Sequence, residues 1–171
     1  MIRLGILALL SILLLAFTLN RPHRHRFPRF FAFESLFALV LLNAQSWFRE
    51  PLSIRQLISW TFLAGSLVLA LHGFRLLNIA GSPKQDIEDT TRLVTIGAYR
   101  YMRHPLYCSL LIGGVGAFLK APSTLGFLLF ACVFIFVFVT AKVEEKDNIK
   151  RFGDEYLAYM KKTRMFLPFL Y

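Results

Sequence analysis

Apolar positions along this chain are gathered into five blocks, and polar residues are concentrated between them. The blocks cover residues 4–20, 30–48, 57–77, 106–119 and 124–141. A helix needs about 20 apolar residues to cross the hydrocarbon core of a bilayer, with about 17 as a lower bound. The fourth block has 14 residues, so it reaches spanning length only if residues 99–105 extend it. The pattern predicts an all-α integral membrane protein with about five transmembrane helices.

A different pattern follows the fifth block. Ile149, Phe152, Tyr156 and then Tyr159 or Met160 recur at the spacing of one helical face, with charged residues between them. We expect one C-terminal amphipathic helix that lies against the membrane surface or caps the bundle.

Composition supports the membrane interpretation. Hydrophobic residues make up 56% of the 171 residues, against about 45–50% in a typical soluble domain. Arg3 gives the first block the basic start of a signal peptide, but a basic segment follows it in place of a small-x-small cleavage site, so we expect a retained helix. Cys108 and Cys132 lie within apolar blocks and give neither a disulfide framework nor a metal-binding spacing. We therefore predict no metal site.

The distribution of positive charge predicts an orientation. Five spans place 16 of the 20 Lys and Arg residues on one side of the membrane and 4 on the other. Cytoplasmic loops carry the excess of Lys and Arg, so the N-terminus is predicted to be outside and the C-terminus cytoplasmic. The net charge of +10 then serves orientation and attraction to membrane lipids with anionic headgroups. It flanks the apolar blocks and forms no recognition motif, which argues against nucleic acid as a partner.

Two features inside the apolar blocks have alternative interpretations. Glu34 is an acid near the predicted cytoplasmic end of the second block, so it is either a functional group or the partner of Arg26 or Arg29. The run Gly113–Gly114–x–Gly116 is not preceded by a strand, which argues against a phosphate loop. Small residues let helices approach closely in lipid, and we expect these to pack against the fifth block.

Two polar clusters stand at the predicted cytoplasmic ends of the fourth and fifth blocks. The first contains Tyr99, Arg103, His104 and Tyr107, and the second is the pair Glu144–Glu145. A carboxylate pair at a helix C-terminus is disfavoured by the helix dipole, so it calls for a cation or a ligand. If the two blocks form a hairpin, the clusters meet in one pocket. Such a pocket suits S-adenosylmethionine, although a nucleotide, a lipid headgroup or a purely structural junction also fits.

The segments "LVTIGAYRYMRHPLY" and "EEKDNIKRFGDEYLAYMKKTRMFLP" resemble the isoprenylcysteine carboxyl methyltransferase family, which is related to the phospholipid methyltransferases. The resemblance implies an integral membrane enzyme that uses S-adenosylmethionine and lacks a Rossmann domain. By resemblance, the cofactor-binding residues are Thr91, Arg92, Leu93, Val94, Tyr99, Arg103, His104, Pro105, Leu106, Tyr107, Glu144 and Glu145.

One position departs from the family pattern. Eukaryotic members carry a substrate-binding arginine about four residues before the first matched glutamate, where this chain has Thr140. Arg151 and Arg164 are therefore candidates for substrate binding. A carboxylate acceptor needs no base, whereas an amine or thiol acceptor must lose a proton, and Glu34 and Glu145 are the candidate catalytic residues for that step.

The resulting prediction is an S-adenosylmethionine-dependent methyltransferase, of the O-methyltransferase type, acting on a lipophilic acceptor such as an isoprenylcysteine carboxylate or a lipid. Residues 1–80 would form three transmembrane helices with a basic cytoplasmic loop. Residues 81–171 would form the cofactor-binding loop, a helical hairpin and the amphipathic helix, integrated with the first part into one domain. A membrane sterol-type reductase using NADPH and a non-enzymatic transporter or scaffold are the alternative functions.

Overall fold

The described part of the chain, residues 2–19, 26–82 and 90–166 of a computed structural model, is built of helices. The six α-helices are α1 (Ile2–Leu19), α2 (Arg26–Leu42), α3 (Ile54–Ala80), α4 (Pro105–Lys120), α5 (Thr124–Phe152) and α6 (Asp154–Lys162). Short 3-10 helices cover Ala44–Ser46 and Gly97–Arg100. The all-α prediction is confirmed. Residues 20–25, 83–89 and 167–171, which also entered the sequence-based predictions, lie outside the described residues.

Two helices, α3 and α5, are long and apolar enough to cross a membrane, with mean hydropathies of 1.6 and 2.6. Shorter apolar helices cover Gly5–Ala16 and Pro105–Lys120. The apolar windows of α3 and α5 are only 11% and 28% buried, so their side chains mostly face outward. A continuous exposed apolar surface of this kind is typical of contact with lipid or a partner rather than with water. The count of five spans stays a prediction.

Proline and serine set where α4 and α5 begin. His104 is the N-cap of α4 and Pro105 its first residue, so residues 99–104 do not lengthen this helix to spanning length. The reason is steric, because proline is tolerated at the first helical position but pushes the residue before it out of the helical region. The hydroxyl of Ser123 accepts a hydrogen bond from the Gly126 amide and caps the start of α5.

The end of α5 also differs from expectation. The helix continues through Glu144 and Glu145 to Phe152, so the carboxylate pair is not at a helix C-terminus. Gly153, with φ of 56°, then separates α5 from α6. A residue with positive φ interrupts a helix, and glycine adopts that conformation at little cost. The predicted single amphipathic helix is therefore two, the last turns of α5 and the short α6, which buries Tyr156 and Tyr159.

Helix α4 packs mainly against α3, which corrects the expectation that α5 is its partner. The hydroxyls of Ser59 and Ser66 on α3 donate hydrogen bonds of 2.7 Å to the carbonyls of Gly116 and Ser109 on α4. Gly114 faces Phe130 of α5, so only part of the small-residue run points that way. The α3–α4 contact is therefore stabilised both by close packing at small residues and by interhelical hydrogen bonds from serine hydroxyls.

The last residue of α4, Lys120, is a buried lysine that contacts α3. Lys120 is fully buried, and its ammonium donates a 2.9 Å hydrogen bond to Gln56 on α3. The same ammonium lies 3.6 Å from the ring centroid of Trp60, whose ring meets that of Trp47 edge to face. A cation over an indole face is attracted by the ring quadrupole. Both tryptophans thus lie together at the end of the bundle that contains Lys120.

Gly116→Ala should destabilise the fold, whereas Gly65→Ala should not. A Cβ at Gly116 would lie 2.9 Å from Leu63 Cγ and 3.1 Å from the Leu63 backbone nitrogen, whereas a Cβ at Gly65 meets nothing within 4 Å. We expect Gly116→Ala to cost about 1–3 kcal/mol through overpacking. The matched Gly65→Ala should be neutral or stabilising by up to about 1 kcal/mol, because alanine favours helix. Thermal unfolding in detergent measures both, and equal melting temperatures would contradict the close α3–α4 contact.

Candidate functional site

A pocket lies where the loop before α4, the end of α5 and the buried face of α6 meet. Its wall is formed by Leu77, Thr90, Leu93, Val94, Tyr99, Arg103, His104, Leu106, Tyr107, Glu144, Asn148, Phe152, Tyr156 and Tyr159. Both polar clusters recognised in the sequence contribute to it. The lining combines cationic, acidic and aromatic groups with an apolar side.

The loop that carries the first cluster is fastened to the end of α3. The Gly81 carbonyl accepts hydrogen bonds from the amides of Thr91 and Arg92, and Gly81 itself has no room for a side chain beside Thr90. Gly97 makes the next turn with φ of 58°, where a Cβ would lie 2.8 Å from His72 Nε2. Glycine is needed at this position for both the backbone conformation and the space.

Arg103 joins three separate stretches of the chain. Its Nε donates to Glu145 Oε1 at 2.7 Å, and its Nη1 donates to the Thr163 carbonyl at 2.5 Å. The backbone continues the junction, because the amides of Arg103 and His104 donate to the carbonyls of Arg164 and Met165. An ionic hydrogen bond between groups this buried is among the stronger interactions of a fold. It fixes the loop, α5 and the segment after α6 relative to one another.

The two neighbouring glutamates have different environments. Glu145 faces Arg103 and is only 3% exposed. Glu144 lies in the pocket wall and accepts a 2.7 Å hydrogen bond from the Tyr107 hydroxyl. The oxygen of that hydroxyl accepts a 3.1 Å hydrogen bond from Arg29 of α2. Successive residues of a helix point about 100° apart, which explains how one carboxylate holds the fold while the other faces the pocket.

Two buried polar atoms in the pocket wall are available to a ligand. His104 is 4% exposed, and its Nε2 lies 3.7 Å from Glu145 without a hydrogen bond to any described residue. The Tyr156 hydroxyl, also buried, lacks a hydrogen bond of ordinary length and angle within the described part of the chain. Burial raises the pKa of the Tyr156 and Tyr159 phenols, so both stay protonated. Buried polar groups without a partner are rare in native proteins, so each calls for an explanation, and a bound ligand would supply one here.

The pocket brings together most, but not all, of the residues predicted from the sequence. Those that line it are Leu93, Val94, Tyr99, Arg103, His104, Leu106, Tyr107 and Glu144. Those outside the lining are Thr91, Arg92, Pro105 and Glu145. Thr91 and Arg92 fasten the loop, Pro105 starts α4, and Glu145 holds Arg103. These four residues therefore support the segments that carry the lining residues, without lining the pocket themselves.

The candidates for catalysis and substrate binding lie elsewhere. Glu34 accepts a 2.6 Å hydrogen bond from the Ser11 hydroxyl of α1 and is not in the pocket wall. Arg151 is exposed and reaches the Thr90 carbonyl at 3.4 Å, while Arg164 is exposed on the segment after α6. In the described residues, no group of three or more His, Cys, Asp or Glu side chains is arranged to hold a metal ion.

Sequence reasoning missed the continuation of the pocket along α5. Asn148 and Phe152 line it at positions four and eight residues after Glu144, which is the spacing of one helical face. The signal was present, since those residues lie in the segment that resembles the family. The sequence interpretation placed the glutamates at the C-terminus of the fifth helix, so it did not continue the pocket to the positions after them. Arg29 was missed as a neighbour of Tyr107 because nothing local in the sequence relates α2 to α4.

The apolar side chains of α3 and α5 face outward, and a polar pocket lies near the ends of the helices. This combination is typical of a helical membrane protein. This chain belongs to the phospholipid methyltransferase family, whose model matches residues 54–155. The match runs from the start of α3 into α6 and leaves α1 and α2 outside it. The resemblance proposed from the sequence is thereby confirmed. No solved structure matches the chain.

Relatives of the chain are named for two kinds of acceptor. Methanethiol S-methyltransferase 1 of Bradyrhizobium diazoefficiens is 44% identical over 72 residues, which cover 41% of this chain and 24% of that protein. Protein-S-isoprenylcysteine O-methyltransferase A of Arabidopsis thaliana is 35% identical over 89 residues, covering 51% and 45%. Methanethiol S-methyltransferase of Mycobacterium tuberculosis is 34% identical over 102 residues, covering 57% and 38%. The matches thus span less than half the length of each of these relatives.

Arg103→Met should strongly destabilise the protein, because it leaves the Glu145 carboxylate buried without its 2.7 Å partner. Breaking a buried ion pair from one side costs about 3–5 kcal/mol. Adding Glu145→Gln should recover part of the loss by removing the unpaired charge. Lys142→Met is the control, since Lys142 is exposed and 3.7 Å from the same carboxylate, and it should change stability by less than about 0.5 kcal/mol. Thermal unfolding tests the set, and wild-type melting of Arg103→Met would contradict the role of the ion pair.

Proposed function

We propose that this chain is an integral membrane methyltransferase that transfers a methyl group from S-adenosylmethionine to a lipophilic acceptor. The observation that carries the proposal is the meeting of the two family-like segments in one pocket, where the Tyr107 hydroxyl donates to Glu144 at 2.7 Å. Family membership supports the same reaction class. The comparisons favour neither the sterol-type reductase nor the transporter.

The side chains of the pocket fit the chemistry of S-adenosylmethionine. Its ammonium and ribose hydroxyls require acceptors, and Glu144 offers carboxylate oxygens in the wall. Its carboxylate and adenine nitrogens require donors, and the buried His104 Nε2 and Tyr156 hydroxyl are available. Leu93, Val94 and the aromatic rings of α5 and α6 offer an apolar enclosure for the adenine. When bound, the donor supplies an electrophilic methyl group on its sulfonium.

The chain itself contributes alignment and the exclusion of water. The loop over residues 90–104 and helix α6 cover the pocket, held by Arg103 and by the Tyr159 hydroxyl, which donates to the Tyr99 carbonyl at 2.6 Å. Holding two reactants in line removes a large part of the entropic barrier to reaction. Glu145 is engaged by Arg103, and Glu34 by Ser11. We therefore propose a reaction that depends on alignment rather than on either glutamate as a base.

The proposed orientation places the pocket on the cytoplasmic side, where 16 of the 20 Lys and Arg residues would lie. The donor would enter from the cytoplasm and the apolar acceptor sideways from the bilayer. A reporter fused after Tyr171 should be active only in the cytoplasm. Activity confined to the opposite side would overturn the orientation.

A small thiol is the second candidate acceptor. The specific observation in its favour is the 44% identity to a relative named methanethiol S-methyltransferase 1. A thiol can meet the same donor in the same pocket, but unlike a carboxylate it must lose its proton, to water or to a base, for methyl transfer to give a neutral thioether. The distinction therefore requires an experiment on the acceptor rather than on the donor.

Glu144→Gln should weaken binding of S-adenosylmethionine by at least about tenfold, since a hydrogen bond to a charged group contributes about 1.5–3 kcal/mol. The control is Asp147→Asn, which also removes a carboxylate from α5, but one that faces Lys150 at 3.7 Å outside the pocket wall. Calorimetric titration of the purified protein in detergent measures both. Wild-type affinity of Glu144→Gln would show that the site is elsewhere, and binding of NADPH instead of S-adenosylmethionine would favour a reductase.

If the acceptor is lipophilic, the labelled methyl group should be recovered in the organic phase after reaction with membrane extract from the cells that produce the protein. The assay uses methyl-labelled S-adenosylmethionine, membrane extract and wild-type protein, with Glu144→Gln as the negative control. Glu144-dependent label in extracted lipid or lipidated protein supports the lipophilic acceptor. Glu144-dependent label in a volatile sulfide after addition of methanethiol supports the small thiol. Label confined to water-soluble, non-volatile products would contradict both acceptors.

A further inference from the structure

Helix α2 lies outside the family match, yet it reaches the candidate site through one side chain. Arg29, in the first turns of α2, donates from Nη2 to the Tyr107 hydroxyl oxygen at 3.1 Å. That hydroxyl donates in turn to Glu144 Oε2 at 2.7 Å. We propose that Arg29 is a positioning residue, which acts through Tyr107 to hold the Glu144 carboxylate for the methyl donor. The inference rests on the proposed function for the identity of that donor.

The hydrogen-bond directions support this role. A phenol has one hydrogen to donate and lone pairs with which to accept. In Tyr107 the hydrogen is directed to Glu144, and the oxygen accepts from the cationic guanidinium of Arg29. A charged donor polarises the hydroxyl and strengthens the bond that the hydroxyl itself makes, since hydrogen bonds in a chain reinforce one another. Removing Arg29 should therefore loosen Glu144 through the hydroxyl that lies between them.

Packing holds the chain of contacts in place. Ala32, three residues after Arg29, is 3% exposed and lies in the core cluster with Val137 and Ala141 of α5. Phe31 stacks on Phe136 of α5 with ring centroids 5.1 Å apart. Tyr107 belongs to the same core cluster and is 6% exposed. The backbone that carries Arg29 is thus fixed against the helix that carries Glu144, which is the requirement for a positioning contact.

The test is a double-mutant cycle on binding of S-adenosylmethionine. We expect Arg29→Met and Tyr107→Phe each to raise the Kd about tenfold, as for loss of a charged hydrogen bond. The double variant should be no weaker than Tyr107→Phe alone, because both changes break the same chain. Arg29→Lys should restore part of the affinity, since it returns a cationic donor. Arg75→Met, a change at an exposed arginine of α3, should bind as wild type does.

Two results would overturn the inference. One is wild-type affinity of Arg29→Met. The other is a loss of affinity from Arg29→Met that is equally large in the wild-type protein and in the Tyr107→Phe variant. If Arg29→Met does not fold, Arg29→Gln provides the same cycle, because it also removes the cationic donor, and Arg29→Lys remains the rescue variant. Failure of the wild-type protein to bind the donor would overturn the proposed function instead.

A ligand-free measurement keeps the inference testable in that case. Melting temperatures of Arg29→Met, Glu144→Gln and their double variant should be non-additive, because the residues are coupled. The coupling should vanish when Tyr107→Phe is added. Coupling that persists without the Tyr107 hydroxyl, or additive melting shifts throughout, would contradict action through Tyr107.

Discussion

The ion pair between Arg103 and Glu145 is the interaction on which the candidate site depends. It is buried on both sides, with 10% and 4% of the two side chains exposed, and the guanidinium also donates to the carbonyls of Met160 and Thr163. Three stretches distant in sequence meet there, so the pocket wall exists only because they are held together. Burying the charges is costly unless they are paired, and this pairing therefore makes the arrangement specific. Neither the Glu145 side chain nor the Thr163 carbonyl needs to touch a ligand to define where one binds.

Much of the site could be predicted from short polar motifs, because charged and aromatic groups at the edge of apolar blocks have few purely structural explanations. The meeting of the His104 region with Glu144 is present in the structure as expected. Which of two adjacent glutamates faces the pocket could not be predicted, since it depends on helix phase and on where α5 ends. The end is set by Gly153, whereas composition suggested a boundary about three turns earlier. Because of this error, Asn148 and Phe152 were not predicted to line the pocket.

The packing partner of α4 shows a second limit of sequence patterns. Small residues indicate that a neighbour approaches closely, but they do not identify it. Ser59 and Ser66 of α3 meet carbonyls of α4, and only the relative register of the helices brings them there. This register bears on the candidate site, because residues 91 and 92 are hydrogen-bonded to Gly81 at the end of α3 and residue 104 leads directly into α4. The close contact of these helices fixes both ends of the loop that bears the first cluster.

The N-terminal helices raise the question of what distinguishes members of this family. The family match covers every lining residue of the pocket except Tyr156 and Tyr159, and none of α1 or α2. Relatives similar to this chain nevertheless carry names with different acceptors, a thiol and an isoprenylcysteine. The shared segment accompanies a shared kind of reaction in the names of these relatives, methyl transfer, whereas a difference in acceptor requires a part that differs. Because α2 packs along α5 and its Arg29 reaches Tyr107 in the pocket wall, differences in this unmatched part of the chain can act on the candidate pocket itself.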